Sequence, residues 1–438
     1  MTDCDIAIVG GGLVGAPLAL ALAEEGHRVA LLERQVTPAP LPTDALDQRC
    51  TALSAGSREW LERRGLWSAL AEDACPIRTV HVSHRGRFGS TRLTAAEHGV
   101  DALGHVVENR RVLVALDVRL TRSGVRRLVG VSVERVEPGT DDVRVGYVSS
   151  ATPVGTDAGE GSSNAGAGGT LRARLVVGVD GIDSSVRAAL GIGVRRHDYR
   201  QSAVLGTLAL EREHGHVAHE RFTDSGPLAL LPRPDRTVSF VECVARTEAS
   251  RIAGLGEEAF LERLQRRFGR RLGRFVASGP RSVQSLVRIE AERQVGPRTV
   301  LLGNAARLLH PVAGQGYNLA LRDAAALVTA LAPGGSERGL GRRYGRAEIP
   351  SGTDPGDPAR LAAFVAARRA DQRRTVALTD TLARVFRGES AALGRLRAFG
   401  LVGLDTVSPL RRRFARSAMG GATPIQPETV RPVSGESD

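Results

Sequence analysis

Three glycines at a fixed interval near the start of the chain, Gly10, Gly12 and Gly15, carry the most specific chemistry in the sequence. In G-x-G-x-x-G the first glycine permits a tight turn, the second lets backbone approach a pyrophosphate, and the third lets a helix pack on a strand. Amide groups at the helix start then hold phosphate oxygens. Glu33, which closes the apolar run Val29–Leu32, is placed to accept hydrogen bonds from ribose hydroxyls. A carboxylate there repels an additional ribose phosphate, which favours FAD or NAD over NADP. Two further polar pairs, Asp180-Gly181 and Gly303-Asn304, each follow an apolar run. The loop His310-Pro311-Val312-Ala313-Gly314-Gln315-Gly316 then leads to Tyr317 and Asn318. His310 can relay a proton or can shape its loop by bonding backbone. Asp180 can cap a helix or touch a cofactor. Arg49 can contact a phosphate or flavin, or stand as a solvated charge.

These residues need elements to hold them. Ile6–Val9 reads as a buried strand, the Leu18, Leu20, Leu22 pattern as a helix, and Val29–Leu32 as a second strand ending on the acid. Strand, turn, helix, strand and terminal acid together make the glycine motif far more specific than it is alone. The runs before Asp180 and Gly303 read as strands that deliver polar residues to their carboxyl ends, where open αβ sheets bind ligands. A helix is expected from Trp60 through Leu61 to Trp67, another opening at Val106–Asn109, and one from about Asn318. Thr79–Ser83 alternates like a strand, with Arg85–Leu93 as a hairpin partner. Glu220–Leu231 and Thr237–Glu242 look like antiparallel strands of a second domain. Residues 155–169 are rich in Gly, Ser and Ala and read as a flexible insertion within one domain. From Pro358 the pattern is helical and rich in arginine, with a polar tail after Thr423.

The chain has 438 residues and a formal net charge of +12, and all 60 of its basic residues are arginine. Without lysine, a Walker-type phosphate loop and a Schiff-base nucleophile are excluded. The basic balance suits an anionic membrane surface or reflects biased codon usage; no nucleic-acid motif accompanies it, and aromatic stacking residues are few. Cys4, Cys50, Cys75 and Cys243 are scattered with no C-x-x-C, so metal is not expected and buried thiols in a reducing cytoplasm are. The glycine motif begins too near the N-terminus for a signal peptide to precede it. No apolar run reaches the ~18 residues of a membrane span. Only one G-x-G-x-x-G occurs, against flavoenzymes that hold nicotinamide in a second Rossmann domain. No Ser-His-Asp arrangement stands out.

Taken together, the Gly10–Gly15, Asp180-Gly181 and Gly303–Asn318 motifs resemble the group A FAD-dependent aromatic monooxygenases, over the chain up to about residue 415. Asp47–Leu53, Pro76–Ser83, Ala102–Glu108 and His310–Asp323 look like the ubiquinone-biosynthesis hydroxylases within that group. Gly303-Asn304-Ala305-Ala306, where most of the superfamily has Gly-Asp, together with ERFTDSGPLALLP and FGRRLG, resembles the 2-octaprenyl-6-methoxyphenol hydroxylase branch. The resemblance implies an α/β fold: a Rossmann-like FAD-binding domain of the p-hydroxybenzoate hydroxylase kind, interleaved with a β-sheet substrate domain, and a helical C-terminus. The expected segments are 1–75, 102–190 and 291–345 for the FAD domain, 76–101 and 191–290 for the substrate domain, and 346–438 for the C-terminal region. Gly10, Gly12, Gly15, Glu33, Arg34, Arg49, Asp180, Gly181, Gly303, Asn304, Gly314, Gly316, Tyr317 and Asn318 are then cofactor-binding, with backbone near Tyr317 and Asn318 facing the flavin pyrimidine. His310 and Pro311 are the catalytic candidates. The implied reaction is ring hydroxylation of a polyprenyl methoxyphenol through a C4a-hydroperoxyflavin, with FAD as cofactor and NAD(P)H and O2 as co-substrates. The implied location is the cytoplasm, peripheral at the inner face of the cytoplasmic membrane among other ubiquinone-biosynthesis enzymes, and Phe399–Phe414 is a candidate docking stretch. Hydroxylation of another phenol or ring position, an FAD reductase, and a non-catalytic FAD-binding scaffold are the alternatives.

Overall fold

The computed structural model describes residues 2–35, 49–86, 89–149, 168–332 and 354–385, with isolated positions at 409, 415 and 419. The proline-rich loop from Thr37, Asp47-Gln48, the Gly/Ser-rich insertion up to residue 167, the segment 333–353, nearly all of Phe399–Phe414 and the polar tail lie outside the described residues.

Two large sheets carry the fold. The first is eight-stranded and runs Val295–Gly296, Thr299–Leu301, Gly169–Gly178, Cys4–Val9, Val29–Glu33, Arg126–Val129, with Val143–Ser149 and Val131–Pro138 as an antiparallel extension. Its four central strands are parallel. Their apolar runs are continuous rather than alternating because helices cover them. The helices Gly15–Glu24 and Gln315–Leu331 share a core with these strands through Leu18, Leu22, Leu321 and Leu327. Val143–Ser149 pairs antiparallel with Gly169–Gly178, so the segment between them joins neighbouring strands of one sheet.

The second sheet is nine-stranded and mostly antiparallel, in the order Arg307–Leu308, Ser282–Ala291, Val194–Leu210, Thr237–Ala245, Gly226–Arg233, Val217–Thr223, Thr79–His84, Ser90–Thr94, with Phe275–Ser278 also on Val194–Leu210. One face is sealed by the helices Arg246–Ala253 and Glu257–Phe268, whose Ile252, Phe260 and Leu264 pack on Val204, Leu228, Leu230 and Phe240. On the other face Ala218 clusters with Ile77 and Val106, and Phe222 with Val312 and Leu382. A small sheet of Cys50–Ser54, Gly104–Glu108 and Cys75–Ile77 lies at the junction.

Several local expectations shift. Val106–Glu108 is strand, because pairing with Cys50–Ser54 takes its backbone, and the helix starts only at Asn109. The helix holding Trp60 stops at Arg63, before Gly65 at φ +63°. The helix expected from about Asn318 begins at Gln315. The helix Pro358–Val385 spans both layers. Leu361 and Phe364 enter the core of the first sheet, while Leu382 and Ala383 cluster with residues of the second. The Asp323 carboxylate accepts from Arg368 Nε at 2.7 Å and Gln372 Nε2 at 2.9 Å on that long helix.

Candidate functional site

The register of the first sheet assembles the site. Leu32, Val9, Gly178 and Leu301 stand opposite one another across the parallel strands. The residues that follow them, Glu33, Gly10, Val179–Gly181 and Leu302–Gly303, therefore share one edge, at the strand carboxyl ends where an αβ sheet takes ligands. Backbone bonds lock it: Gly10 N–H donates to Leu32 O at 2.8 Å, Val179 N–H to Val9 O at 2.8 Å, and Leu302 N–H to Gly178 O at 2.9 Å.

The glycines divide by role. A Cβ on Gly15 would sit 1.8 Å from Gly10 O, and one on Gly10, at φ +106°, would sit 2.6 Å from Val179 O; these positions need glycine for packing. A Cβ on Gly12, Gly181 or Gly316 would meet nothing within 4 Å. Those three positions front open space. The helix Gly15–Glu24 has no side-chain cap and no acid in its first turn. Its N-terminus is thus left for an anion from outside the chain. Glu33 holds the turn from the neighbouring strand, accepting from Gly11 N–H at 2.5 Å and Gln35 N–H at 2.7 Å. Arg34 and Arg49 are exposed beyond the strand ends, and Asn304 is exposed on the short turn after Leu302.

Two polar residues turn out to be structural in their side chains. Asp180 accepts from Ser184 Oγ at 2.6 Å, Ser185 Oγ at 3.0 Å and Val186 N–H at 3.1 Å, so its carboxylate caps the following helix. Asn318 donates to Ala52 O at 2.8 Å and Gly314 O at 2.9 Å, and accepts from Ser54 N–H and Ser57 Oγ, each at 2.8 Å. It staples the loop 310–316 to the small sheet. Tyr317 is half-buried; its hydroxyl donates to Leu13 O at 2.9 Å, and burial pushes the phenol up.

The loop itself is tightly wound. Ala313 sits at φ +61° and Gly314 at φ +57°. A left-handed alanine costs of order 1 kcal/mol and persists only where its surroundings demand it. Exposed Pro311 accepts from Gly314 N–H at 2.9 Å. His310 is 1% exposed, its Nδ1 accepts from Val312 N–H at 3.2 Å, and Nε2 has no partner among the described residues. Burial holds the ring down to about 4, so it is neutral near pH 7. With Nδ1 accepting, the proton is on Nε2. His310 therefore presents a buried N–H donor and no free basic lone pair.

Residues that sequence reasoning missed surround this loop. Tyr199 stacks edge-on against His310 at 4.9 Å, and its hydroxyl donates to Asp380 at 2.9 Å. Asp380 also pairs with Arg288 at 3.1 Å and Arg384 at 2.9 Å. Nothing in the spacing of Tyr199 announces this, since its contacts to His310 and Asp380 each span more than a hundred residues. Below the loop, Val312 clusters with Phe222, Val82 and Leu382. Ala218, Leu231, Cys50 and Ala52 form an adjoining apolar group. The central row of the second sheet, Leu205, Val241, Ala229, Glu220 and Val82, is in register from strand to strand and is only partly buried at every position. An alternating strand with an acid on its inward face was a signal the sequence did offer, in Ala218, Glu220 and Phe222.

Cys75, His214 and His216 are the one group among the described residues close enough to share a metal. His214 spends both ring nitrogens on backbone, at Arg233 O (2.7 Å) and His216 N–H (3.0 Å). Burial raises the Cys75 thiol to about 11. Both features oppose ligation.

A model of the FAD binding domain family matches residues 3–339. The chain is 36% identical over 431 residues to the ubiquinone hydroxylase UbiL of Rhodospirillum rubrum, covering 98% of this chain and 92% of that protein. It is 30% identical over 422 residues to the 3-demethoxyubiquinol 3-hydroxylase of Escherichia coli, covering 95% and 98%. In fold it is similar to the p-nitrophenol 4-monooxygenase PnpA from Pseudomonas putida, with TM-score 0.71 and 18% identity over 95% of this chain and 98% of that one.

Proposed function

Since the chain belongs to the FAD binding domain family and is an FAD-dependent monooxygenase, we propose that it hydroxylates the aromatic ring of a polyprenylated methoxyphenol in ubiquinone biosynthesis. The observation that carries this reading is the abutment of two surfaces. A glycine-lined edge with open space at Gly12, Gly181 and Gly316 adjoins a part-exposed apolar sheet face, with the His310 loop at their border.

The residues fit FAD. Gly12 and the uncapped helix start would take the pyrophosphate, and Glu33 has lone pairs left for a ribose hydroxyl. Asn304, with an amide in place of a carboxylate, would bond a ribityl hydroxyl as donor or acceptor. Gly181 and Gly316 front open space on the edge that FAD would take, and exposed Arg34 and Arg49 would meet its phosphate charge. Bound FAD supplies the redox chemistry, accepting reducing equivalents from NAD(P)H and passing one atom of O2 to the ring.

The protein contributes position, dryness and proton control. Asn318 fixes the loop against the small sheet, so the backbone of Gly314–Asn318 is preorganised. His310 offers its buried Nε2–H as a donor, and Tyr199 and Asp380 hold the loop's flank. Leu205, Val241, Ala229 and Val82 give an apolar wall suited to a prenylated ring. No helix among the described residues is long and apolar enough to cross a membrane. Access to a lipid-dissolved substrate would then come from peripheral docking, to which the arginine-rich C-terminal stretch is suited.

The test is NAD(P)H oxidation with and without a short-tailed 2-prenyl-6-methoxyphenol, in labelled O2. Substrate-stimulated oxidation with one labelled oxygen in the product is the expected result. FAD reduction with no oxygenated product would overturn the reading.

A further inference from the structure

Two glutamates on the second sheet are treated in opposite ways. Glu242, on the face sealed by helices, is fully buried and pairs with Arg263 at 2.7 Å and Arg267 at 2.5 Å. That is how a protein keeps a structural carboxylate away from water. Glu220, on the opposite face, has no hydrogen bond or ion pair among the described residues. It stands mid-row between Val82 and Ala229, with Ala218 and Phe222 two residues either way along its own strand. All of its in-register neighbours are apolar. An acid held in such a row without a partner is costly and does nothing for the fold.

Its surroundings show no charge placed to satisfy it. The titratable groups on the elements packed around it include His84, Cys243, Cys50, His310, Asp380 and Arg384, with Arg233 taken by Glu108 and both Arg288 and Tyr199 bonded to Asp380. His84 bonds Arg85 O at 2.9 Å, and Asp380 and Arg384 are closed on each other. Cys243, one row away, is buried, and its thiol is pushed up by that burial and then by Glu220 and Glu242. Burial alone raises the Glu220 carboxyl to about 7. The partner the carboxyl lacks must come from whatever occupies the wall.

We propose that Glu220 recognises the substrate's ring hydroxyl: the carboxylate accepts the phenolic O–H hydrogen bond and so fixes which edge of the ring meets the cofactor edge. This rests on the phenol-hydroxylase reading above. The apolar row holds the ring and tail by contact, and Glu220 is the one charged group on that row, whose far ends are Thr91 and Ser282. It selects a free hydroxyl against a blocked one, because an ether would leave the carboxylate unpaired again.

The experiment compares binding of a short-tailed 2-prenyl-6-methoxyphenol and its O-methyl ether to the full-length FAD-loaded protein, anaerobically and without NAD(P)H, followed by flavin absorbance. The wild type should prefer the phenol by about tenfold or more at pH 8, the worth of a hydrogen bond to a charged group. That preference should shrink as pH falls below about 7. E220L should lose the preference with flavin content unchanged. E220Q, which keeps an acceptor, should retain a smaller preference that no longer depends on pH. A wild type that prefers and hydroxylates the phenol, with E220L showing the same preference, overturns the role of Glu220 alone. A wild type that binds neither compound overturns that role together with the phenol reading. Should E220L fail to hold flavin, the pH profile of E220Q decides.

Discussion

Replacing Asn318 tests how the loop beside the cofactor edge is held. Its side chain makes four hydrogen bonds, to Ala52 O, Gly314 O, Ser54 N–H and Ser57 Oγ, all between 2.8 and 2.9 Å. At about 1 kcal/mol net per bond the four sum to about 4 kcal/mol. Water entering the gap recovers part of that, so N318A should cost roughly 3 kcal/mol. N318D keeps the shape but turns an acceptor oxygen onto two carbonyls, and should cost at least as much. Urea denaturation of the flavin-free protein reads the stability term, and flavin titration reads the consequence for the loop. The two should fall together, since Gly314 and Ala52 carry the loop's anchor. An N318A protein within about 0.5 kcal/mol of wild type, or an N318D protein as stable as wild type, would refute the reasoning.

The glycine edge separates fold from binding. G12A should fold normally, because its Cβ meets nothing within 4 Å, yet lose flavin by tenfold or more; G15A, with its Cβ 1.8 Å from Gly10 O, should not fold. Flavin content and circular dichroism read both, and a G12A protein with full flavin would place the pyrophosphate elsewhere. Buried His81, His219 and His310 and half-buried His105 are held down to about 4, 3, 4 and 4, chiefly by desolvation. Unfolded histidine titrates near 6.5, so this stability is complete above that pH and is lost as pH falls toward 4, at up to about 3 kcal/mol per ring. Denaturation midpoints across that range should drop, and H310N should flatten part of the slope. Glu220 has the opposite sign. Unfolded, it ionises near 4.5, but in the fold only near 7. It therefore subtracts stability progressively as pH rises between those values, by at most about 3 kcal/mol and less where water reaches it. E220Q should be more stable than wild type at pH 8 and equal to it near pH 4; a melting-temperature difference independent of pH would contradict this.

The cofactor half of the molecule was legible because its signal is local. Gly10–Gly15 and Glu33 sit in one β-α-β unit, and turn geometry forces glycine where Cβ would strike Val179 or Gly10. The families of strand ends at Asp180 and Gly303 were visible for the same reason. What the sequence left open was which atoms those residues spend on the fold. Asp180 reads as cap or contact until Ser184, Ser185 and Val186 are seen to take its oxygens. For Asn318 the sequence spoke only of its backbone, and its side chain is bonded across more than 250 residues to Ser54 and Ser57. Tyr199, Asp380 and the pairing of Asp323 with Arg368 depend on tertiary packing of distant helices and strands, for which no periodicity exists to be read.

The helix Pro358–Val385 acts mechanically as a splint. At about 1.5 Å per residue its 28 residues reach about 42 Å. One end is riveted to the first sheet by Leu361, Phe364 and the Arg368–Asp323 pair, and the other is pinned to the second by Asp380, Leu382 and Ala383. A hinge between the sheets would have to shear the buried ion pair and both apolar contacts at once. The two layers are thus braced by one element, and any displacement of one against the other would have to break the buried Arg368–Asp323 pair.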